Sequence, residues 1–195
     1  MVRPREFDRD EALDRAMRVF WSKGYSAAST DELLAAMQIG RQSLYNAFGD
    51  KRKLYLEALD RYQQYSVAAH IERLTRSSSA LAGIKSLLLG VIPADAAERA
   101  NGCMGVNSAA EFGATDAEVN AIRAAGAKRL REPLLARIGE AQRNGEIDPH
   151  MDAEDVALFI GSTLQGIQLN ARAGMSPAAL RRIAKFALER LVARS

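Results

Sequence analysis

The sequence predicts an all-α protein, and three observations lead to this fold class. The stretches between the five prolines are rich in Ala, Leu, Arg and Glu, which are strong helix formers. Apolar residues in these stretches recur at spacings of three and four, as they do on one face of an α-helix. Val, Ile and Thr do not form the long alternating runs that are typical of strands. We therefore expect helices joined by short turns.

The first helix is expected to begin after Asp8 or Asp10 and to stop at Gly24. Its apolar residues at positions 12, 13, 16, 17, 19 and 20 fall on one face. A basic residue, Lys23, directly before a glycine is typical of a helix C-terminus. The helix is therefore amphipathic and should pack its apolar face inward.

Two short helices follow, separated by a tight turn. Ser29 or Thr30 suits the N-cap of the first, which ends near Gln38, and acids at positions 31 and 32 favour its positive end. The second covers residues 41–48, and the turn over residues 38–40 contains Gly40. This is the plan of a helix-turn-helix, whose second helix lies in the DNA major groove.

The rest of the chain is expected to form a long helix and a helical bundle. The long helix covers residues 51–75, and five more cover residues 80–91, 103–112, 117–144, 153–173 and 177–193. Pro133 either kinks or breaks the helix over residues 117–144, and residues 95–102 form the loosest loop. We call residues 1–50 the head and residues 51–195 the bundle, with the boundary inside the long helix.

Composition and charge narrow the class of protein only modestly. The chain is 48% hydrophobic and 26% charged, as expected for a globular protein and not for a disordered one. Its net charge is only +3, and residues 1–62 hold eleven Lys/Arg against ten Asp/Glu, so overall charge does not indicate nucleic-acid binding. No apolar run is long enough for a membrane span or a signal peptide. The single cysteine cannot form an intramolecular disulfide, which argues against a secreted fold. We therefore expect a cytoplasmic protein that does not contact a membrane.

The segment after the turn carries a family resemblance. Its sequence is IGRQSLYNAFGDKRKL over residues 39–54, preceded by FWSKGY over residues 20–25 and by Ser29 and Thr30. It resembles the N-terminal signature of tetracycline-repressor-like (TetR) regulators over roughly residues 7–60, and the remainder follows only the family's general helical layout. The resemblance implies a homodimeric DNA-binding regulator, most often a repressor, that leaves a palindromic operator when a small-molecule effector binds.

The opening of the second short helix is the expected base-reading element. Helix openings reach deepest into the major groove, where Arg pairs with guanine and Gln with adenine. We expect contacts to base edges from Arg41, Gln42 and Ser43.

Other residues are expected to hold the DNA backbone. Thr30 at an N-cap suits a phosphate oxygen, and Lys51 adds a positive charge near the next helix start. The resemblance adds Tyr45 and Asn46, where the family often has histidine in place of Asn46. Arg3 and Arg5 precede the first helix. They form either an arm that enters the minor groove or only a solubilising terminus.

A dimer is expected because one short helix reads only a few base pairs, whereas a two-fold pair reads two half-sites. The last two helices carry stripes of apolar and small residues that either pair with a second copy or complete the monomer core. These are Leu158, Phe159, Gly161, Ser162, Leu164 and Gly166 on one helix, and Leu180, Ile183, Ala184, Ala187, Leu188 and Leu191 on the other.

The middle helices are expected to enclose the effector pocket that the resemblance implies. Polar residues on otherwise apolar helices are the candidates to line it. They are Tyr62, Tyr65, Cys103, Asn107, Glu111 and Gln165, with His70, Ser108 and Gln168 as further possibilities. Cys103 is either a sensor thiol, a soft metal ligand with Met104, or a buried inert residue, and we favour the last.

Enzymatic function finds no support in the sequence. There is no nucleophile elbow, phosphate-binding glycine loop or paired His and acid, and one cysteine and two histidines lack the spacing of a zinc site. We expect no catalytic residues, no metal and no cofactor. The alternative to a DNA-binding regulator is an all-helical protein that binds a small molecule or a partner without binding an operator.

Overall fold

The computed structural model describes residues 7–192, and within this range the chain forms ten α-helices and no strand. The all-α fold is therefore confirmed. In chain order the helices are α1 (Arg9–Lys23), α2 (Thr30–Met37), α3 (Arg41–Phe48), α4 (Lys51–Thr75), α5 (Ala80–Gly90), α6 (Ala96–Asn101), α7 (Met104–Phe112), α8 (Ala117–Arg143), α9 (Ala153–Arg172) and α10 (Pro177–Leu191).

Most helix ends follow the capping residues in the sequence. Asp8 caps α1 by accepting hydrogen bonds from the backbone N–H groups of Asp10 and Glu11, and Gly24 ends the helix with φ +83°. Ser29 and Glu32 form a reciprocal capping box at the start of α2. Side-chain caps and C-terminal glycines therefore set these boundaries locally, as expected.

One prediction about the bundle was wrong. The segment expected to be the loosest loop contains the short helix α6, which Asp95 caps by accepting from the N–H of Glu98. Helix α8 runs unbroken through Pro133, so of the two outcomes expected there a break is excluded. Proline removes one backbone donor, but packing of α8 against α4, α5 and α9 holds the helix on both sides.

Buried side chains form two clusters, and both include residues of α4. The first contains the apolar faces of α1, α2 and α3, with Leu54, Tyr55 and Leu59 from the start of α4. The second contains the apolar faces of α5, α8, α9 and α10, with Leu74 from the end of α4. Helix α4 therefore joins the head to the bundle as one continuous rod.

Candidate nucleic-acid interface

Helices α2 and α3 form the helix-turn-helix, and its turn is made by an unexpected residue. Gln38 adopts the left-handed conformation with φ +57°, whereas Gly40 has φ −78°, which any residue adopts. The predicted turn over residues 38–40 is present, but the strained backbone lies at Gln38. Leu44 and Phe48 anchor α3 in the head core, which leaves the opposite face of α3 to solvent.

The opening of α3 presents free backbone donors. Gly40 is its N-cap and provides no side-chain cap, so within the described residues the N–H groups of Arg41, Gln42 and Ser43 have no acceptor. A Cβ at Gly40 would have no neighbour within 4 Å, so the approach to this helix end is open. Free N–H groups and the helix dipole favour an anion here.

The base-reading candidates on α3 are exposed and already oriented. The Arg41 guanidinium donates to the Asp31 carboxylate of α2 at 2.8 Å, and 57% of the Arg41 side chain remains exposed. The Gln42 amide donates to the Asn46 side-chain oxygen at 3.0 Å, one helical turn later. Ser43 is partly buried, so Arg41 and Gln42 project furthest from the head.

The phosphate candidates lie around the same surface, with one correction. Ser29, not Thr30, is the N-cap of α2, and Thr30 is the first helical residue, whose N–H has no acceptor among the described residues. Tyr45 is exposed on α3, and the Lys51 ammonium lies over the Tyr25 ring at 4.5 Å from its centre. Arg3 and Arg5 lie outside the described residues.

Many charges of the head are paired within the protein. Arg9 pairs with Glu57, Arg61 with two acids of α1, and Lys23 with Glu32. The hydrogen bond from Lys23 is the main reason why the pKa of Glu32 is lowered to about 2. These ion pairs balance bases and acids alike, so they leave the head nearly neutral and do not by themselves create a positive surface.

A junction between the head and the bundle was not foreseen from the sequence. The Glu111 carboxylate on α7 accepts from the backbone N–H groups of Tyr25 and Ser26, at 2.9 and 2.7 Å. Partial burial opposes the charge, but these hydrogen bonds prevail and hold the pKa of Glu111 below its ordinary value. The Trp21 indole donates to the Gly102 carbonyl at 3.0 Å.

Two further contacts strengthen this junction. The Arg172 guanidinium donates to the Asn101 carbonyl at 2.9 Å and reaches the Trp21 carbonyl at 3.4 Å. Arg52 at the start of α4 pairs with Asp116 at 2.7 Å. No local sequence signal announces these contacts, because their partners lie 64 to 151 residues apart along the chain.

Two cavities divide the effector-pocket candidates, one inside the bundle and one between the bundle and α1 of the head. The first, of about 140 Å³, lies among α4, α7, α8 and α9, and is lined by Cys103 and Gln165. The second, of about 320 Å³, lies between α1, α4 and α6, and is lined by Tyr62 and Tyr65. Residues that line both cavities are Ser66, His70 and Gln168.

The other two candidates line neither cavity. Asn107 donates its side-chain N–H to the Asn101 carbonyl at 2.9 Å, and Glu111 holds the junction. Both therefore stabilise the chain around α6 and α7.

Cys103 is buried beside Tyr62, and burial together with this thiol raises the pKa of the Tyr62 hydroxyl. Among residues 7–192, no three His, Cys, Asp or Glu side chains are grouped as a metal site would need. No helix in the same range is both long enough and apolar enough to cross a membrane.

The stripes on the last two helices split between the core and the surface. Six residues of the stripes are buried in the protein's own core, so for them the second alternative, completion of the monomer core, is the correct one. They are Leu164, Leu180, Ala184, Ala187, Leu188 and Leu191. Leu158 is 68% exposed and Phe159 40% exposed, and the glycines at 161 and 166 face open space. Leu169 and Phe186, which sequence reasoning missed, are also exposed. An apolar surface therefore remains on α9 and α10.

The head and the bundle together define a helix-turn-helix regulator. Residues 12–58 match the family model described as "Bacterial regulatory proteins, tetR family", and residues 92–187 match "Tetracyclin repressor-like, C-terminal domain". The chain is 32% identical over 187 residues to the HTH-type transcriptional repressor ComR of Escherichia coli (strain K12), covering 93% of this chain and 88% of ComR. It is 35% identical over 149 residues to the HTH-type transcriptional regulator YezE of Bacillus subtilis (strain 168), covering 76% and 77% of the two chains.

Solved structures agree with the family models. A cysteine-substituted variant of the TetR family regulator CifR, complexed with 26-base-pair operator DNA, is 30% identical, with a TM-score of 0.79 and coverage of 97% of this chain and 99% of that one. The regulatory protein TetR from Rhodobacter sphaeroides, 23% identical with a TM-score of 0.83, covers 94% and 99% and shares the fold. The chain belongs to the TetR family of transcriptional regulators.

Proposed function

We propose that this protein is a homodimeric repressor that binds a palindromic operator and is released from it by a small-molecule effector. The observation that carries the proposal is the opening of α3, where Arg41 and Gln42 are exposed beside three backbone N–H groups without acceptors. Core packing requires neither the exposed side chains nor the uncapped helix end. Two relatives support the DNA-binding part of the proposal, since ComR is named a transcriptional repressor and CifR is complexed with operator DNA.

The head residues take different roles on DNA. Arg41, Gln42 and Ser43 contact base edges, and the side chain of Arg41 exchanges its Asp31 partner for a base or shares it. Four further groups hold phosphates and fix the register of the head, namely Thr30, Tyr45, Asn46 and Lys51. Arg3 and Arg5 enter the adjacent minor groove.

The dimer forms through the apolar surface on α9 and α10. Leu158 and Leu169 lie on one face of α9 at a spacing of eleven residues, and Phe186 is exposed on α10. Pairing of α9 and α10 with their copies makes a four-helix interface and buries these side chains. The two heads are then held at the spacing of two operator half-sites.

Effector binding reaches the head through the end of α9. Gln168 lines both cavities, and a Cβ at Gly102 would lie 3.1 Å from the Gln168 carbonyl and 3.0 Å from the Arg172 Cβ. Gly102 in turn accepts from the Trp21 indole of α1. A ligand that displaces Gln168 therefore also displaces Gly102 and its hydrogen bond with Trp21 of α1. The effector cavity and the DNA-binding head are thus coupled through packed residues, as allostery requires.

Fluorescence anisotropy with labelled DNA that flanks the protein's own gene tests the proposal. Specific binding is expected to be on the order of 10³-fold tighter than binding to scrambled DNA, with affinity falling steeply as salt rises. Gln42→Ala should weaken specific binding about tenfold, whereas the matched control Gln64→Ala, an exposed glutamine on α4, should not. Equal affinity for flanking and scrambled DNA would leave a helical ligand-binding protein as the better account.

A further inference from the structure

The size and the lining of the first cavity, among α4, α7, α8 and α9, suit a particular class of ligand. Its volume of about 140 Å³ is close to the roughly 150 Å³ at which an engineered protein cavity takes up benzene. A ligand of about six to nine non-hydrogen atoms therefore fills it. Part of the wall is apolar, with Val67, Leu130 and Leu164, so one side of the ligand is hydrocarbon.

The charged lining of this cavity is entirely positive. Among the described residues that line it, Arg123 is the only one that carries a charge at neutral pH, and none is an acid. Its guanidinium donates to the Asn120 side-chain oxygen at 3.0 Å, and it forms no ion pair with a carboxylate among residues 7–192. Burial and the nearby Arg73 lower the pKa of His70 to about 4, so His70 adds no charge. Arg123 is thus a partly buried cation at the cavity wall without a carboxylate partner in the described range.

Two glutamine amides face the same space without partners. Gln168 is only 8% exposed, and its side-chain amide makes no hydrogen bond to any residue in the described range. The Gln63 amide lies between two helix glycines, since a Cβ at Gly105 would come within 2.5 Å of its nitrogen and one at Gly126 within 3.1 Å of its oxygen. Among the described residues the only buried side-chain N or O atom without a partner is Arg137 Nε, so the glutamine amides stay accessible from the cavity, where they can donate hydrogen bonds to a ligand.

We propose that the effector is a small monocarboxylate whose carboxylate pairs with Arg123 and accepts a hydrogen bond from the Gln168 amide. Its hydrocarbon part packs on Val67 and Leu164. A carboxylate can accept two parallel hydrogen bonds from a guanidinium and a further one from an amide N–H. A neutral amide ligand of the same shape has only one acceptor oxygen and no charge, so it pairs less well with Arg123. This assignment rests on the proposed function, in which the cavity is the effector site.

Isothermal titration of the purified full-length protein with matched acid and amide pairs tests this assignment. The probes are butyrate against butyramide and benzoate against benzamide. At least one acid is expected to bind with a Kd on the order of micromolar to millimolar, about tenfold or more tighter than its amide. Arg123→Gln should abolish this preference and Arg123→Lys should retain part of it, while the control Arg129→Gln, an exposed arginine on the same helix, should leave it unchanged.

The outcomes separate this inference from the proposed function. Absence of binding by all four probes, amides that bind as tightly as their acids, or an Arg123→Gln protein that keeps the preference would each overturn the ligand class. Operator binding is measured on the same samples without ligand. If the operator binds and the acids do not, the inference fails alone, whereas acid binding without operator binding contradicts only the repressor function. Circular dichroism of each variant confirms that it is folded.

Discussion

Replacement of Glu111 by alanine is expected to loosen the junction between the head and the bundle. Its carboxylate accepts two hydrogen bonds, at 2.9 and 2.7 Å, from the backbone of the loop between α1 and α2. Hydrogen bonds to charged groups contribute about 1.5–3 kcal/mol each, but water reaches these N–H groups once the carboxylate is gone. We therefore expect a loss of about 1–2 kcal/mol in the free energy of unfolding, which lowers the Tm of a chain this long by about 2–8 °C.

The pH dependence of this loss gives a second check on Glu111. Its pKa is lower in the folded protein, so its stabilisation is fully present above the ordinary Glu pKa of about 4.3 and disappears as pH falls through the folded value. Thermal unfolding followed by circular dichroism at pH 7.5 should therefore separate Glu111→Ala from wild type, and the difference should shrink in acid. The matched control is Glu132→Ala, an exposed glutamate on α8. An unchanged Tm for Glu111→Ala at pH 7.5, or an equal drop in the control, would refute the role of this carboxylate.

Three other perturbations have defined outcomes. Asp31→Asn frees Arg41 from its ion pair and removes a negative charge from the protein surface proposed to face DNA. DNA affinity should therefore rise about two- to fivefold in anisotropy titrations. A fall in affinity would mean that Asp31 chiefly orients Arg41. Leu158→Arg should convert the proposed dimer to a monomer in analytical ultracentrifugation, while circular dichroism still shows a folded helical protomer, because Leu158 is exposed in the protomer; a persistent dimer would contradict the proposed surface. His70→Gln should reduce the loss of stability between pH 6.5 and pH 4. In that range the histidine binds a proton in the unfolded protein but stays neutral when buried in the fold, which lowers the free energy of unfolding by up to about 3 kcal/mol. Identical pH profiles of the two proteins would count against a buried neutral histidine.

Local signals made the helices and the turn predictable. Asp8 and Gly24 delimit α1 because a capping side chain and a glycine with positive φ act within one turn of the chain. The same applies to Ser29 at the start of α2 and to the turn before α3. The left-handed conformation of Gln38 was missed, because glycine is the residue expected for that backbone and Gly40 lies two residues further on. Helix α6 was missed as well, although Asp95 caps it.

Longer-range packing was not predictable in the same way. Helix periodicity shows that α9 and α10 have apolar stripes, but it does not show that Leu164 and Leu180 are covered by the protomer while Leu158 is not. Glu111 was assigned to a pocket because it is polar on an apolar helix, whereas its partners lie 85 and 86 residues away in the chain. Such contacts depend on the complete fold, and a single sequence does not encode them in any local pattern.

The most direct test of the account is a base-by-base comparison of wild type with Arg41→Ala. Each base pair of an operator half-site is substituted in turn, and affinity for both proteins is measured by anisotropy at fixed salt. Wild type should lose about 1–3 kcal/mol at a particular G·C pair, and Arg41→Ala should be indifferent to that pair alone, whereas Lys51→Ala should weaken binding evenly across the sites. If Arg41→Ala keeps the full discrimination at every position, α3 does not read the operator through Arg41 and the account is contradicted.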